Sequence, residues 1–128
     1  MDSRELSRRV IGRRKELGMS QADLAEAAHI SRNYVSLIER GEAQNVSTKL
    51  LSRLALALGT TPSQLSGESD EEDRVIPNAL RQFGLAAGLP YEVVDRLSRI
   101  PARGQEPRTA DGWRNLYEAI RLYLEGHT

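Results

Sequence analysis

Apolar positions recur along this chain at the three- and four-residue spacing of α-helices, and single glycines and N-capping residues punctuate the stretches between them. The first stretch, Ser3 to Leu17, turns Leu6, Val10, Ile11 and Leu17 inward and stops at Gly18. Two short helices follow. Ser20 is placed to cap the first of them, with Asp23 in the capping-box position, and Leu24, Ala25 and Ala28 give it a small-residue inner face. His29 and Ile30 break the pattern, Ser31 caps the next helix, Arg32 to Arg40, and Gly41 closes it where positive φ costs little. Ser47 caps a fourth helix, Thr48 to Leu58, with Leu50, Leu51, Leu54, Ala55 and Leu58 in its core stripe. Gly59 ends that one, and Pro62 suits the first turn of a short fifth helix ending near Leu65.

The stretch Gly67-Glu68-Ser69-Asp70-Glu71-Glu72-Asp73 has no apolar residue and five acids in seven, so it reads as a self-repelling linker over residues 67–75. Beyond it the apolar pattern returns. Pro77 opens a helix to about Ala87, with Leu80, Phe83 and Ala87 on one side, and Pro90 opens another to about Arg99, using Val93, Val94, Leu97 and Ile100. Thr109 caps the last helix, where Trp113, Leu116, Tyr117, Ile120 and Leu124 form one amphipathic stripe. The expected fold is all-α: a five-helix domain over residues 1–66, then a small three-helix C-terminal domain over 76–128. Three helices in so short a stretch make a thin core, so this second domain is read as the homodimerisation module, with a monomeric cap on the first domain as the alternative.

Two capped helices with so short a join, the first lined with alanine, form the pattern of a helix-turn-helix, although an ordinary antiparallel pair has the same spacing. The use of such a unit is to lay the second helix in a DNA major groove, its N-terminal side chains against base edges. That end carries Ser31, Arg32, Asn33 and, one turn on, Ser36. Arginine can pair bidentately with guanine and asparagine with adenine, while serine is a tolerant donor or acceptor. Gln21 opens the first helix, where its backbone and side-chain amides can both reach phosphate. Among Arg8, Arg9, Arg13 and Arg14, which partly form a solvated face, Arg14 is the foremost candidate for a phosphate contact. The polar loop from Gly41 to Val46, with Asn45, is expected to follow the DNA backbone, and Ser47 and Lys49 open a helix whose amino end can offer N–H groups to phosphate.

The residues carry a resemblance beyond spacing. Ser20-Gln21-x-x-Leu24-Ala25, followed by Ser31, Val35-Ser36 and Ile38-Glu39-Arg40-Gly41, is similar to the XRE family of repressors, the lambdoid repressor and Cro type. The likeness covers residues 3 to about 66 and extends through Thr60-Thr61-Pro62-Ser63-Gln64-Leu65. It implies a lambda-repressor-like DNA-binding domain working as a dimer on a palindromic double-stranded operator. By position Gln21, Arg32, Asn33 and Ser36 become base and phosphate contacts, and Arg14 and Glu39 fall where the family commonly pairs the first helix with the end of the recognition helix.

Net charge is zero, which at first sight opposes a nucleic-acid partner. The division along the chain answers this: residues 1–66 hold ten Lys/Arg and seven Asp/Glu, a net +3, and residues 67–128 hold eight and eleven, a net −3. An excess so small makes a single protomer a weak binder and a dimer the expected binding unit. Absence of cysteine removes disulfides and thiolate metal sites, and His29 and His127 have no paired ligands, so neither a metal nor a cofactor is expected. There is no phosphate-cradling Gly-Lys-Ser/Thr motif and no convergent polar constellation, so an enzyme is not expected. No apolar run approaches the roughly 20 residues that cross a bilayer and no signal pattern opens the chain, so a soluble, cytoplasmic protein without membrane association is expected.

Between the last two helices lies Pro101-Ala102-Arg103-Gly104-Gln105-Glu106-Pro107-Arg108, a loop by its two prolines and glycine and the kind of segment proteases cut. Here Leu97-Ser98-Arg99-Ile100, Arg103-Gly104, Pro107-Arg108 and Trp113 resemble in spacing the C-terminal domain of DdrO-type repressors over roughly residues 76–125. That family controls DNA-damage-response genes and is inactivated when a zinc metallopeptidase of the IrrE/ImmA kind cuts this loop. By position the cut falls at Ala102–Arg103, although Pro101-Ala102 stands where the family pattern has an acidic residue and a leucine. Two other binding roles remain open: the antitoxin of a toxin–antitoxin pair, whose C-terminal part wraps a toxin, and a mobile-element immunity repressor.

Overall fold

The computed structural model describes residues 2–67, 76–101 and 104–125, with the side chains of 124 and 125 outside that description. Every regular element among them is a helix: α1 (Ser3–Glu16), α2 (Gln21–Ala28), α3 (Arg32–Glu39), α4 (Thr48–Leu58), α5 (Pro62–Ser66), α6 (Asn78–Ala86), α7 (Tyr91–Ser98) and α8 (Ala110–Glu125). They gather into two compact units, residues 1–75 and 76–128.

Local chemistry sets the starts of the first unit's helices. The hydroxyls of Ser20, Ser31, Ser47 and Thr61 accept the backbone N–H three residues on, at 3.0, 3.0, 3.0 and 3.1 Å. Each such cap supplies an acceptor for a donor the helix leaves open, and replacing one by alanine typically costs about 1 kcal/mol. The turn between α2 and α3 uses His29 in a left-handed conformation, φ 58°, which lets the Ile30 N–H reach back to the Ala25 carbonyl at 3.0 Å. Gly41 ends α3 with φ 73°, as its position implies.

The core of this unit is drawn from one face of each helix. Leu6 and Val10 of α1, Leu24, Ala25 and Ala28 of α2, Val35 and Ile38 of α3, Leu54, Ala55 and Leu58 of α4, and Leu65 of α5 are all buried. Because Ala25 and Ala28 carry only a methyl, α2 can pack closely on both α3 and α4. Ile11, Leu17, Leu50 and Leu51, expected inward, are half-buried at the margin of this core.

In the second unit α6, α7 and α8 each pack on the other two. Leu80, Phe83, Val94, Leu97, Trp113 and Tyr117 are buried, and Phe83 and Tyr117 meet tilted, centroids 5.6 Å apart. The Arg114 guanidinium lies 5.2 Å from the Phe83 ring centre, a cation–π contact at the surface. The indole N–H of Trp113 meets no acceptor among the described residues although the ring is fully buried. Two expected core positions are corrected. Ala87 is exposed and Ile100 keeps 41% of its surface in water, because both stand past the last helical residue of α6 and α7, where the stripe loses its cover. Of the α8 stripe, Leu116 and Ile120 are half-buried, and the Leu124 side chain lies outside the described residues.

Candidate DNA-binding surface

The candidate surface is built on α2 and α3, with α1 packed against α3. The Ser3 hydroxyl donates to the Ala43 carbonyl at 3.1 Å and the Ser7 hydroxyl to the Glu39 carbonyl, stitching the start of α1 to the end of α3. Further along α1, Arg14 grips the Glu39 carboxylate with both edges of its guanidinium, Nε to Oε2 at 2.6 Å and Nη2 to Oε1 at 2.9 Å. The same arginine donates through Nη1 to the Met19 carbonyl at 2.9 Å, at the approach to α2. Gln21 Nε2 reaches Glu39 Oε1 at 3.1 Å, so α1, α2 and α3 share one carboxylate.

Little water reaches this pair: the side chains are 14% exposed for Arg14 and 7% for Glu39. The hydrogen bonds to Glu39 raise the Arg14 pKa above its ordinary value, burial opposes them, and the carboxylate's charge adds to the rise. A guanidinium so held is a fixed strut. It ties the last turn of α1 to the last residue of α3.

Those residues face outward. Ser31, Arg32 and Asn33 are exposed and Ser36, one turn later, is half-buried, so side chains suited to base edges stand free on one end of a helix whose other face is core. Asn45, Ser47 and Lys49 are exposed in the loop and first turn that follow α3.

The helix-turn-helix family matches residues 12–65. HTH-type transcriptional regulator DdrOP3 of Deinococcus deserti is 32% identical over 120 residues, 88% of this chain and 92% of that protein. HTH-type transcriptional regulator SinR of Bacillus licheniformis is 34% identical over 68 residues, 53% of this chain and 61% of its own. The chain belongs to the XRE-type helix-turn-helix transcriptional regulators, with DdrO-type organisation. It is therefore a DNA-binding regulator, and the DdrOP3 likeness runs on through the second unit, where the helix-turn-helix match stops.

Several of the regulator's expected contact residues have structural duties as well. Arg14 spends three N–H donors on Glu39 and Met19, so it positions the recognition helix. Gln21 is half-buried and gives one amide hydrogen to Glu39. Ser31 and Ser47 serve as caps through their hydroxyl oxygens. Asn45 has φ 56°, a left-handed conformation that asparagine tolerates better than most residues, which accounts for its place in the loop on backbone grounds. Spacing cannot reveal the Ser3 and Ser7 links, since a helical serine facing a neighbouring helix looks like any solvated one. Of the candidate cleavage loop, Gly104 has φ 83° and its N–H donates to Glu106 at 3.1 Å, while Ala102 and Arg103 lie outside the described residues. Among the described residues no helix is long and apolar enough to cross a membrane.

Proposed function

We propose that this regulator is a repressor that binds a palindromic operator as a homodimer, reading bases with Arg32 and Asn33. Ser31 and Ser36 assist at base edges, while Gln21, Asn45, Ser47, Lys49 and the amino ends of α2 and α4 meet phosphates. What carries the reading is one observation: an exposed Ser31-Arg32-Asn33 end on a helix held at its far end by the Arg14–Glu39 pair. Residues 1–66, which hold the helix-turn-helix, bear the positive charge and its excess is small, so two protomers are needed for useful affinity. The C-terminal unit supplies the dimer through the outer side of α8, where Tyr123, 69% exposed, continues the line of half-buried Leu116 and Ile120. The units divide the work, with residues 67–75 linking them, in the cytoplasm.

The signal is proteolysis. Cutting the 101–108 loop, by position at Ala102–Arg103, separates α8 from α7, and losing the dimer removes the second half-site and much of the specific binding free energy. The resemblance to DdrO-type repressors makes the peptidase an IrrE/ImmA-type zinc enzyme and the controlled genes a DNA-damage or stress response.

The test is sedimentation of the full chain, free and with its own upstream promoter DNA, before and after limited proteolysis in the loop. The reading requires an intact dimer that binds and a nicked monomer that releases DNA. A nicked protein that stays dimeric and bound would reduce the loop to a connector. Arg32→Ala and Asn33→Ala should each lose about 1–3 kcal/mol of specific binding while weak non-specific binding persists; unchanged operator affinity would refute the recognition-helix assignment.

A further inference from the structure

Gly12 stands in the interior of α1, where glycine destabilises a helix relative to alanine. Packing does not ask for it. A Cβ placed there meets nothing within 4 Å, and the residue is exposed. What Gly12 borders is a groove of about 280 Å³ between α1 and α5, lined also by Arg9, Arg13, Glu16, Thr60 and Gln64. At roughly 100° of rotation per residue, these α1 positions lie on the flank opposite Ser7 and Arg14, the flank that holds the recognition helix.

The groove is cationic and its back wall is polar. Arg9 gives its Nε–H to Glu5 at 2.7 Å; Arg13 gives its own to the Leu58 carbonyl at 2.7 Å and an Nη1–H to Glu16 at 2.8 Å. These contacts hold both stems, yet the Nη groups of Arg9 and Nη2 of Arg13 have no acceptor among the described residues. Thr60 and Gln64, only 5% and 8% exposed, are joined by a 2.7 Å bond from the threonine hydroxyl to the glutamine carbonyl oxygen, which spends the hydroxyl's hydrogen within the wall. Glu5 is shared by Arg8 and Arg9 and Glu16 pairs with Arg13, so three arginines stand against two glutamates and this flank of α1 is net positive by one charge.

We infer that this groove binds a small organic anion, its carboxylate or phosphate held between Arg9 and Arg13 and its body lying over the bare backbone of Gly12. Guanidinium forks match either oxyanion, and the volume suits a small metabolite. A methyl group at position 12 would occupy the space the ligand needs.

The experiment is isothermal titration and thermal melting, followed by circular dichroism, of the full chain in a chloride buffer, with inorganic phosphate and with succinate as separate probes. Saturable millimolar binding of at least one is expected, and the preferred probe tells phosphate from carboxylate. Arg9→Ala should weaken it roughly tenfold, as loss of a charge-assisted contact does, and Glu16→Gln should tighten it by removing a competing carboxylate. Gly12→Ala is the decisive variant: it should melt about 4 °C higher without ligand yet bind at least roughly tenfold more weakly. The inference fails if neither probe binds saturably or if Gly12→Ala binds as the parent does. It fails equally if sedimentation shows that Gly12→Ala dissociates a dimer while anion binding is unchanged, for then the groove receives a second copy of the chain.

Discussion

Replacing Glu39 by glutamine keeps the shape of the side chain and removes its charge, leaving the Arg14 guanidinium in a setting where its side chain is 14% exposed. Breaking a fully buried ion pair from one side costs about 3–5 kcal/mol. Here the cost is smaller, because Arg14 keeps the Met19 carbonyl at 2.9 Å and glutamine still offers one oxygen to Gln21 or Arg14. About 2 kcal/mol is expected, a large part of the stability of a unit this size. Urea unfolding followed by far-ultraviolet circular dichroism measures it, since the only tryptophan lies in the other unit. The double variant Arg14→Met, Glu39→Gln separates pairing from burial. If the two side chains work as one strut, the double variant loses less than the sum of the single ones, by about 1–3 kcal/mol. Operator affinity should fall with Glu39→Gln although neither residue is exposed, because the tie of α1 to α3 loosens. Additive stabilities within about 0.5 kcal/mol, or unchanged operator affinity, would refute the strut.

Asp23 accepts hydrogen bonds from the Ser20 backbone and side chain, which hold its carboxyl below the usual carboxylate range. The stability this capping box contributes is therefore present above about pH 4 and lost as the pH falls through the depressed folded value; Asp23→Asn should flatten that part of the acid-unfolding curve of residues 1–75. Trp113→Ala removes a fully buried ring and should cost roughly 3–5 kcal/mol. Trp113→Phe should cost much less, about 1 kcal/mol, because it also discards an indole N–H that meets no acceptor among the described residues; equal losses in tryptophan-independent melts would show that the donor is satisfied. His29→Gly should stabilise by about 0.5–1 kcal/mol, since glycine takes the left-handed turn without strain; a lower denaturation midpoint would contradict this.

The sequence by itself determined the helices, because their signals are local. Ser20, Ser31, Ser47 and Thr109 cap where their hydroxyls meet the N–H three residues on, and Gly41 and Gly59 stop helices by taking positive φ. It also marked the end of α3 that carries Ser31, Arg32 and Asn33, since residue type and helix position are both written in order along the chain. Burial at helix ends was not legible: Ala87 and Ile100 keep the right spacing, but whether a neighbouring helix still covers them depends on where that helix stops. The Arg14–Glu39 pair was implied by the family resemblance, but the share Gln21 takes in that carboxylate, 18 residues away, was not legible. The same holds for the groove beside Gly12, which in sequence is one glycine inside a helical stretch. Contacts of that span exist only once α1, α3 and α5 are packed, because side-chain hydrogen bonds need distances near 3 Å that no one-dimensional pattern encodes.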